Sequence, residues 1–465
     1  MLFEWLSRNT FHPLWDLKDG SVRLKTLRIL ERSQWQTLDE LKERQWERLK
    51  WILTYAYTHC PYYREQFDNH EIHPSHLRSP NHFLTVPILS KQQIQQSGNA
   101  LISRLYQPNV LRSAKTGGST GTALKVHFDK RCEDTRNAAA IRSNRWANWN
   151  IGEKVAALWG NPGHPDTLKK KIRHALYDRT IVLDTMDLNA NSMMAFVNRW
   201  REYNPGIMFG HSHSLYLFAT FIQEHGIRDI RPKGIISTSM MLLLQERERI
   251  EHVFRCKLTN RYGCEEVGLI ASECERHDGM HLNIDHLYIE FLKEDGNPAS
   301  AGEHGQIVVT DLINRGMPLI RYNVEDIGIP TQRTCPCGRG LPLMEKVSGR
   351  VADFLMRKDG SLVAGVSLIE RTLTAIKGIE QLQIIQEAVD EIILNIVRME
   401  DYDASSEKEL FHEFTTVFGK DIRIKANYVN RIPQEQSGKY RFAICKVLSS
   451  GQLPGPLTPH VQPSC

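Results

Sequence analysis

The chain has 465 residues, of which 41% are hydrophobic and 24% are charged, and its formal net charge is +5. Its 59 Lys and Arg stand among 54 Asp and Glu, so the small basic excess does not predict a nucleic-acid partner. No run of about 18 apolar residues predicts a membrane span, and Met1 to Asp19 lack the apolar core of a signal peptide. We therefore expect a cytoplasmic protein without a membrane or nucleic-acid partner.

The first predicted helix covers 37–58, where Thr37 and Glu40 form a capping-box pattern at its start. A polar helix is predicted within 87–105. The middle of the chain then alternates short apolar runs with helical stretches, which favours an α/β fold with substantial parallel sheet. Its predicted strands are 155–159, 207–209, 235–236 and 257–262, its helices are 192–203, 215–225 and 242–254, and 281–334 is β-rich.

The pattern changes after Arg350, so we expect a large N-terminal domain with mixed, largely parallel sheets over 1–349 and a smaller α+β domain over 350–449. Residues 450–465 are rich in Pro, Gly and Ser and are expected to be disordered. In the small domain we predict helices over 367–376 and 405–419 and strands over 380–387, 391–399 and 422–430.

The stretch "KTGGSTGTALK", Lys115 to Lys125, contains three glycines and four hydroxyl residues. Glycines let the backbone approach a phosphate closely, and the hydroxyls and N–H groups supply donors. The spacing is not that of a P-loop. A surface loop would explain the composition equally well.

Three further motifs offer charged groups at turns. "NRYGCEEVG" presents Glu265 and Glu266, and a carboxylate there is a suitable ligand for Mg²⁺. "PLIRYNVEDIG" places Asp326 after a strand, where acidic residues often accept hydrogen bonds from ribose. "QSGKYR" presents Lys439, a mobile point charge suited to a phosphate or carboxylate oxygen. Taken singly, each motif is also explained by a solvated turn.

The order of these motifs, with Gly-Arg at Arg350, resembles that of the adenylate-forming (AMP-dependent synthetase and ligase) superfamily. Within it, the chain is similar to phenylacetate–CoA ligases and their capsule-biosynthesis-associated CapK-like relatives, from about residue 25 to about residue 447. The resemblance implies an ATP-dependent carboxylate–CoA ligase. Such an enzyme forms an acyl-adenylate from an aromatic or other small organic acid and then a thioester with coenzyme A.

The resemblance also assigns roles to residues. Tyr262 would stack near the adenine, Glu266 would hold Mg²⁺, and Asp326 would bind the ribose hydroxyls with the assistance of Arg350. Lys439, carried by a mobile C-terminal lid, would bridge the carboxylate and the α-phosphate. The loop over the ATP phosphates would comprise Thr116, Gly117, Gly118, Ser119, Thr120 and Gly121.

Departures from the family pattern keep alternatives open. Ala352 stands where the family often has the hinge aspartate, so a nucleotide-binding homologue without turnover is one alternative. "STSMMLL" replaces a stretch that is often acidic near the acyl pocket, so the acid is not fixed. The acceptor would be coenzyme A, a carrier-protein thiol, an amine or a sugar hydroxyl. The sequence leaves the oligomeric state open, with a homodimer as one possibility.

Cys274, His281, Cys335 and Cys337 supply three thiolates and one imidazole, which is a common tetrahedral Zn²⁺ set. Four protein ligands leave no open position, so a structural role is expected. His277 is the alternative imidazole, and free cysteines in turns are the alternative to a metal.

The acyl pocket is predicted near Trp159 and Gly160 and in the turn at 209–214. There, His211 and His213 would orient a polar acyl group, although a histidine in a turn is more often structural. Cys264 either lines the pocket or is a small buried thiol.

Overall fold

The computed structural model describes residues 2–115, 124–159, 167–185, 189–350, 354–360, 362–432 and 441–447. Within these ranges the chain is a mixed α/β protein, which confirms the predicted fold class. None of the helices in these ranges is long and apolar enough to cross a membrane. The predicted domain boundary at 349/350 and the disordered tail stay predictions.

The N-terminal part is helical, and α4 begins where the sequence predicts. Its helices are α1 (Leu2–Leu6), α2 (His12–Asp19), α3 (Arg23–Ser33), α4 (Leu38–His59), α5 (Pro61–Asn69), α6 (Pro80–Phe83), α7 (Lys91–Ser97) and α8 (Lys130–Trp146). The Thr37 hydroxyl accepts the Glu40 N–H and Glu40 Oε2 accepts the Thr37 N–H, so the capping box is formed. The polar helix predicted within 87–105 is α7, which ends at its C-cap Gly98, where φ is 49°.

Eleven strands form the central sheet in the order β10-β11-β12-β13-β9-β8-β7-β6-β5-β3-β4, and β1 and β2 pair separately. The strands are β1 (Arg112–Lys115), β2 (Lys125–Phe128), β3 (Val155–Trp159), β4 (Thr180–Asp184), β5 (Ile207–His211), β6 (Gly234–Thr238), β7 (Leu258–Cys264), β8 (Gly268–Ser272), β9 (Met280–Leu282), β10 (Leu287–Leu292), β11 (Gly305–Asp311), β12 (Tyr322–Pro330) and β13 (Leu343–Arg350). Strands β3 to β7 are parallel, and those beyond β7 pair antiparallel.

The parallel half packs against helices that connect its strands. These helices are α10 (Ala190–Tyr203), α11 (Ser212–Glu224) and α12 (Leu244–Phe254), whereas α9 (Leu168–Arg173) exposes Leu168 and Ile172 to solvent. Phe196, Trp200, Phe218 and Phe254 fill the core between them and the sheet. Because parallel strands end at the same edge of a sheet, the residues that end β3, β5 and β6 lie side by side, where ligands of α/β proteins commonly bind.

The C-terminal unit has its own sheet and core. It contains β14 (Phe354–Met356), β15 (Leu362–Ala364), α13 (Gly365–Ala375), β16 (Ile379–Ala388), β17 (Glu391–Arg398), α14 (Ala404–Phe418), β18 (Arg423–Tyr428) and β19 (Ala443–Cys445). Its four-stranded sheet has the order β18-β17-β16-β19. Its core extends to Met240, Met241 and Leu243 of the loop that follows β6, so this loop links the two parts of the molecule.

Candidate active site and metal cluster

Tyr262 and Asp326, predicted to contact the same nucleotide, lie side by side. Tyr262 is near the end of β7 and Asp326 is in β12, and the Tyr262 hydroxyl donates a hydrogen bond of 2.7 Å to Asp326 Oδ2. Asp326 also pairs with Arg350 in the register between β12 and β13. The strand order therefore places three residues that were predicted to bind the nucleotide, Tyr262, Asp326 and Arg350, close together.

Glu266 lies in the turn after β7 and is buried. The hydroxyl of Tyr322, at the start of β12, donates a 2.9 Å hydrogen bond to Glu266 Oε1. Burial and the neighbouring carboxylate raise the pKa of Tyr322, so its hydroxyl stays protonated and acts as the donor. Cys264 is partly buried beside this carboxylate, and burial raises the pKa of its thiol.

Arg136 of α8 holds the turn that carries Glu266. Its Nη2 donates to the Glu266 carbonyl at 2.6 Å and to Asp311 Oδ2 at 2.7 Å. A Cβ on Gly268, which has φ 80°, would come within 3.1 Å of the Arg136 side chain, so a glycine suits this close approach. Neither supporting residue was predicted from the sequence: Arg136 belongs to no motif, and Tyr322 stands inside the "RYNVED" motif without a sign of its role.

Several predicted site residues lie outside the described part of the chain. They are the loop 116–121, Gly160, Ala352 and Lys439. The strands that flank the loop pair antiparallel, with Lys115 opposite Lys125. The assigned roles of these residues stay predictions.

The structure brings together the four predicted zinc ligands. The ligand atoms of Cys274, His281, Cys335 and Cys337 all lie within 4.8 Å of one another. Cys274 Sγ is 3.6 Å from Cys335 Sγ, and Cys337 Sγ is 3.3 Å from His281 Nε2. The alternative ligand His277 instead has its Nδ1 3.3 Å from Glu273 Oε2.

Hydrogen bonds around this cluster orient its ligands. His281 Nδ1 donates to the Leu341 carbonyl at 3.1 Å, so Nε2 carries the lone pair that faces the thiols. Burial lowers the pKa of His281 to about 4, which keeps the imidazole neutral. The backbone N–H groups two residues after Cys274 and Cys337 each lie 3.4 Å from the sulfur, in a position to stabilise a thiolate.

The predicted acyl pocket region contains stacked rings. The Trp159 ring lies 4.2 Å from the His211 ring and 5.5 Å from the Phe209 ring. His213 points elsewhere, because its Nδ1 lies 2.6 Å from Glu246 Oε1 and its ring meets Phe442 edge-on at 4.9 Å. His213 therefore bridges α11, α12 and the C-terminal unit.

Comparison with known proteins agrees with this architecture. Residues 355–446 match the CapK C-terminal domain. The chain is 26% identical to phenylacetate-coenzyme A ligase of Escherichia coli (strain K12) over 69% of this chain and 73% of that protein. It is 23% identical to Protein CapK of Staphylococcus aureus over 87% and 89% of the two chains. The predicted family resemblance is confirmed.

Solved structures support the same fold. A 2-hydroxyisobutyryl-CoA ligase in the postadenylation state superimposes with a TM-score of 0.73 at 19% identity, covering 90% of this chain and 92% of that one. An anthranilate CoA ligase with anthranoyl-AMP gives a TM-score of 0.51 at 12% identity, over 73% and 66%. The adenylate-forming ligase fold is therefore present across both the large sheet and the C-terminal unit.

Proposed function

We propose that this chain is an ATP-dependent carboxylate–CoA ligase that forms an acyl-adenylate and then a thioester. Its relatives include phenylacetate-coenzyme A ligases, which are acid–thiol ligases, and this confirms the predicted enzyme class. The aromatic or other small organic acid that it activates and the use of coenzyme A as acceptor belong to the proposal.

The observation that carries the proposal is the Tyr262–Asp326 hydrogen bond at 2.7 Å. It joins an aromatic ring suited to stacking on adenine and a carboxylate suited to accepting hydrogen bonds from ribose hydroxyls. We assign Tyr262 and Asp326 these roles, with Arg350 opposite Asp326 in the neighbouring strand assisting.

Glu266 is the proposed Mg²⁺ ligand. Its carboxylate is oriented by Tyr322 and its carbonyl by Arg136, and one carboxylate with phosphate oxygens is the usual protein share of a Mg²⁺ site. A bound Mg²⁺ would offset the negative charge of the triphosphate as the acid approaches it. Glu266 fits this role because Tyr322 keeps its buried carboxylate in one orientation.

In the proposed reaction, a carboxylate oxygen of the acid attacks the α-phosphorus of ATP and pyrophosphate leaves with the electron pair of the broken P–O bond. A thiolate then attacks the acyl carbon, and AMP leaves. Lys439 offsets the charge that develops between the two anions in the first step, while the donors of 116–121 hold the phosphates. The two anions approach in line because each is held by its own set of groups.

We also propose that the Cys/His cluster holds one structural Zn²⁺. At a Zn–S distance of about 2.3 Å, tetrahedral geometry separates two sulfurs by about 3.8 Å. The 3.6 Å between Cys274 and Cys335 and the neutral His281 with Nε2 turned inward fit that geometry. Four protein ligands would saturate the ion, so its contribution would be to stability.

The proposal is tested by pyrophosphate release from ATP with a panel of small acids, with and without coenzyme A. A ligase releases pyrophosphate with at least one acid and forms a thioester only when coenzyme A is present. Acyl-AMP without thioester would indicate a carrier-protein, amine or sugar acceptor. ATP binding with no release for any acid would instead support a nucleotide-binding homologue, the alternative that Ala352 raises.

A further inference from the structure

Arg261, which immediately precedes Tyr262 on β7, carries a charge that the described part of the chain does not neutralise. Its Nη1 donates to Asn144 Oδ1, a neutral amide. Its Nε is shielded from solvent and has no hydrogen-bond partner among the described residues. No carboxylate in the described ranges forms an ion pair with it, and burial lowers the pKa of the guanidinium to about 10.

Three other arginines of the interior are each paired with a carboxylate. Arg142 meets Asp285 at 2.6 Å, Arg136 meets Asp311 at 2.7 Å, and Arg321 meets Glu290 at 3.0 Å. A cation withdrawn from water without an anion is costly, and proteins usually supply one. Arg261 therefore resembles a binding group more than a stabilising one.

The surroundings of Arg261 suit an organic ligand. Adjacent residues of a strand face opposite sides, so β7 presents Tyr262 to Asp326 and Arg261 to the other side. There, the Arg261 guanidinium lies 5.8 Å from the Phe209 ring, which stacks on Trp159 at 5.5 Å. Trp159 and Phe209 belong to neighbouring strands, so aromatic rings and the Arg261 guanidinium meet near the edge where the parallel strands end.

We propose that Arg261 binds a second anionic group of the acid substrate, so that the chain activates dicarboxylic acids whose far carboxylate pairs with this guanidinium. The inference rests on the proposed function and deepens it. A planar guanidinium binds a carboxylate through two parallel hydrogen bonds, whereas an uncharged acyl end would leave the Arg261 guanidinium without an anionic partner. The aromatic rings would contact the body of the acid between its two carboxylates.

The test compares matched acids by ATP–pyrophosphate exchange: phenylacetate with 4-carboxyphenylacetate, and hexanoate with adipate. We expect the full-length protein to prefer the diacid of at least one pair by about tenfold or more in kcat/KM. Arg261→Met should abolish or reverse that preference. Arg231→Met, which alters an arginine that donates to the Val253 carbonyl on the surface, is the matched control and should leave the preference unchanged.

Asn144→Asp keeps the guanidinium but places a carboxylate beside it, so it should also reduce the diacid preference, and it decides the question if Arg261→Met does not fold. A preference for the monoacid in both pairs, or a diacid preference unaffected by both variants, would overturn the inference while leaving the ligase assignment intact. If no acid supports exchange, the proposed function itself fails. Thermal stabilisation by adipate or 4-carboxyphenylacetate, expected in the unmodified protein and absent in Arg261→Met, then judges the Arg261 site independently of turnover.

Discussion

Two groups of side chains on the same sheet are assembled in different ways. In the nucleotide group, Tyr262 of β7 donates to Asp326 of β12, and Tyr322 of β12 donates back to Glu266 after β7. In the Cys/His cluster, the close contacts are between the metal-ligating atoms themselves. The first group can lose a member and keep its strands paired, whereas the second would be completed by the proposed Zn²⁺. We therefore expect substitutions in the first to reduce activity and in the second to reduce stability.

The largest effect on activity is expected for Lys439→Ala. Loss of one well-placed electrostatic group typically costs about 10²–10³ in rate, so adenylation should fall by that amount while the melting temperature stays unchanged. Transfer from preformed acyl-AMP to coenzyme A should survive. Stopped-assay pyrophosphate release and thioester formation measure the two steps separately.

Lys446→Ala is the matched control, since Lys446 also belongs to the C-terminal unit and pairs with Glu387 on the surface. It should adenylate normally. Adenylation at the unmodified rate in Lys439→Ala would remove Lys439 from the reaction.

Cys337→Ser should lower stability and leave the chemistry of the folded protein intact, which is the opposite of what Lys439→Ala should do. Zinc content should fall from about one equivalent per chain, and thermal stability should fall with it, because binding of a structural ion is coupled to folding. Activity would decline only as the folded fraction declines. Metal analysis of protein purified without added metal, together with melting curves before and after chelation, provides the measurement.

Cys256→Ser is the control, because Cys256 contacts the Lys257 carbonyl outside the cluster. It should change neither metal content nor stability. Less than a tenth of an equivalent of zinc in the unmodified protein, with melting unaffected by a chelator, would show that the four residues bind no structural metal.

Asp326→Ala should raise the KM for ATP far more than that for the acid. Charge-assisted hydrogen bonds contribute about 1.5–3 kcal/mol each, so the loss of two ribose contacts predicts an increase of about 100-fold or more. Glu325→Ala, which breaks an accessible ion pair with Lys91, is the neighbouring control. An unchanged KM for ATP with a raised KM for the acid would place Asp326 in the acyl pocket instead.

The sequence predicted the site motifs better than it predicted which strands and side chains they contact. Tyr262, Glu266 and Asp326 were found because each belongs to a short recognisable pattern, although Asp326 lies within β12 and not after a strand as predicted. The proposed zinc set was found because Cys and His are informative in small numbers. Helix α4 was predicted from its capping box. The order of the eleven strands could not be predicted, because it depends on pairings between segments far apart in the chain.

The same limitation hid the supporting residues. Arg136 reaches the Glu266 carbonyl across 130 residues of sequence, and nothing in α8 distinguishes it from other arginines on a helix. Arg261 stood next to a recognised motif, yet its significance depends on the absence of a carboxylate around it in the described structure, which a sequence does not reveal. Supporting contacts of this kind require coordinates.

The smallest effect on activity is expected for Tyr322→Phe. This substitution separates the contribution of Tyr322 to orienting Glu266 from that of Arg136. The substitution removes only the hydroxyl that donates to Glu266 Oε1, while Arg136 continues to hold the Glu266 carbonyl. The carboxylate should stay near its place with a looser orientation. We expect the Mg²⁺ concentration for half-maximal exchange to rise by a few-fold to about tenfold, corresponding to roughly 1–1.5 kcal/mol.

Tyr57→Phe is the matched control, since Tyr57 makes the same tyrosine-to-carboxylate contact with Asp68 at an exposed site. It should leave the Mg²⁺ requirement unchanged. Tyr322→Phe also leaves the buried Glu266 carboxylate oxygen without its donor, so it should cost some stability. The melting temperature therefore shows whether Tyr322 contributes to the fold, and the Mg²⁺ requirement shows whether it orients Glu266. A lowered melting temperature with an unaltered Mg²⁺ requirement would assign Tyr322 to the fold alone and leave Arg136 as the group that orients Glu266.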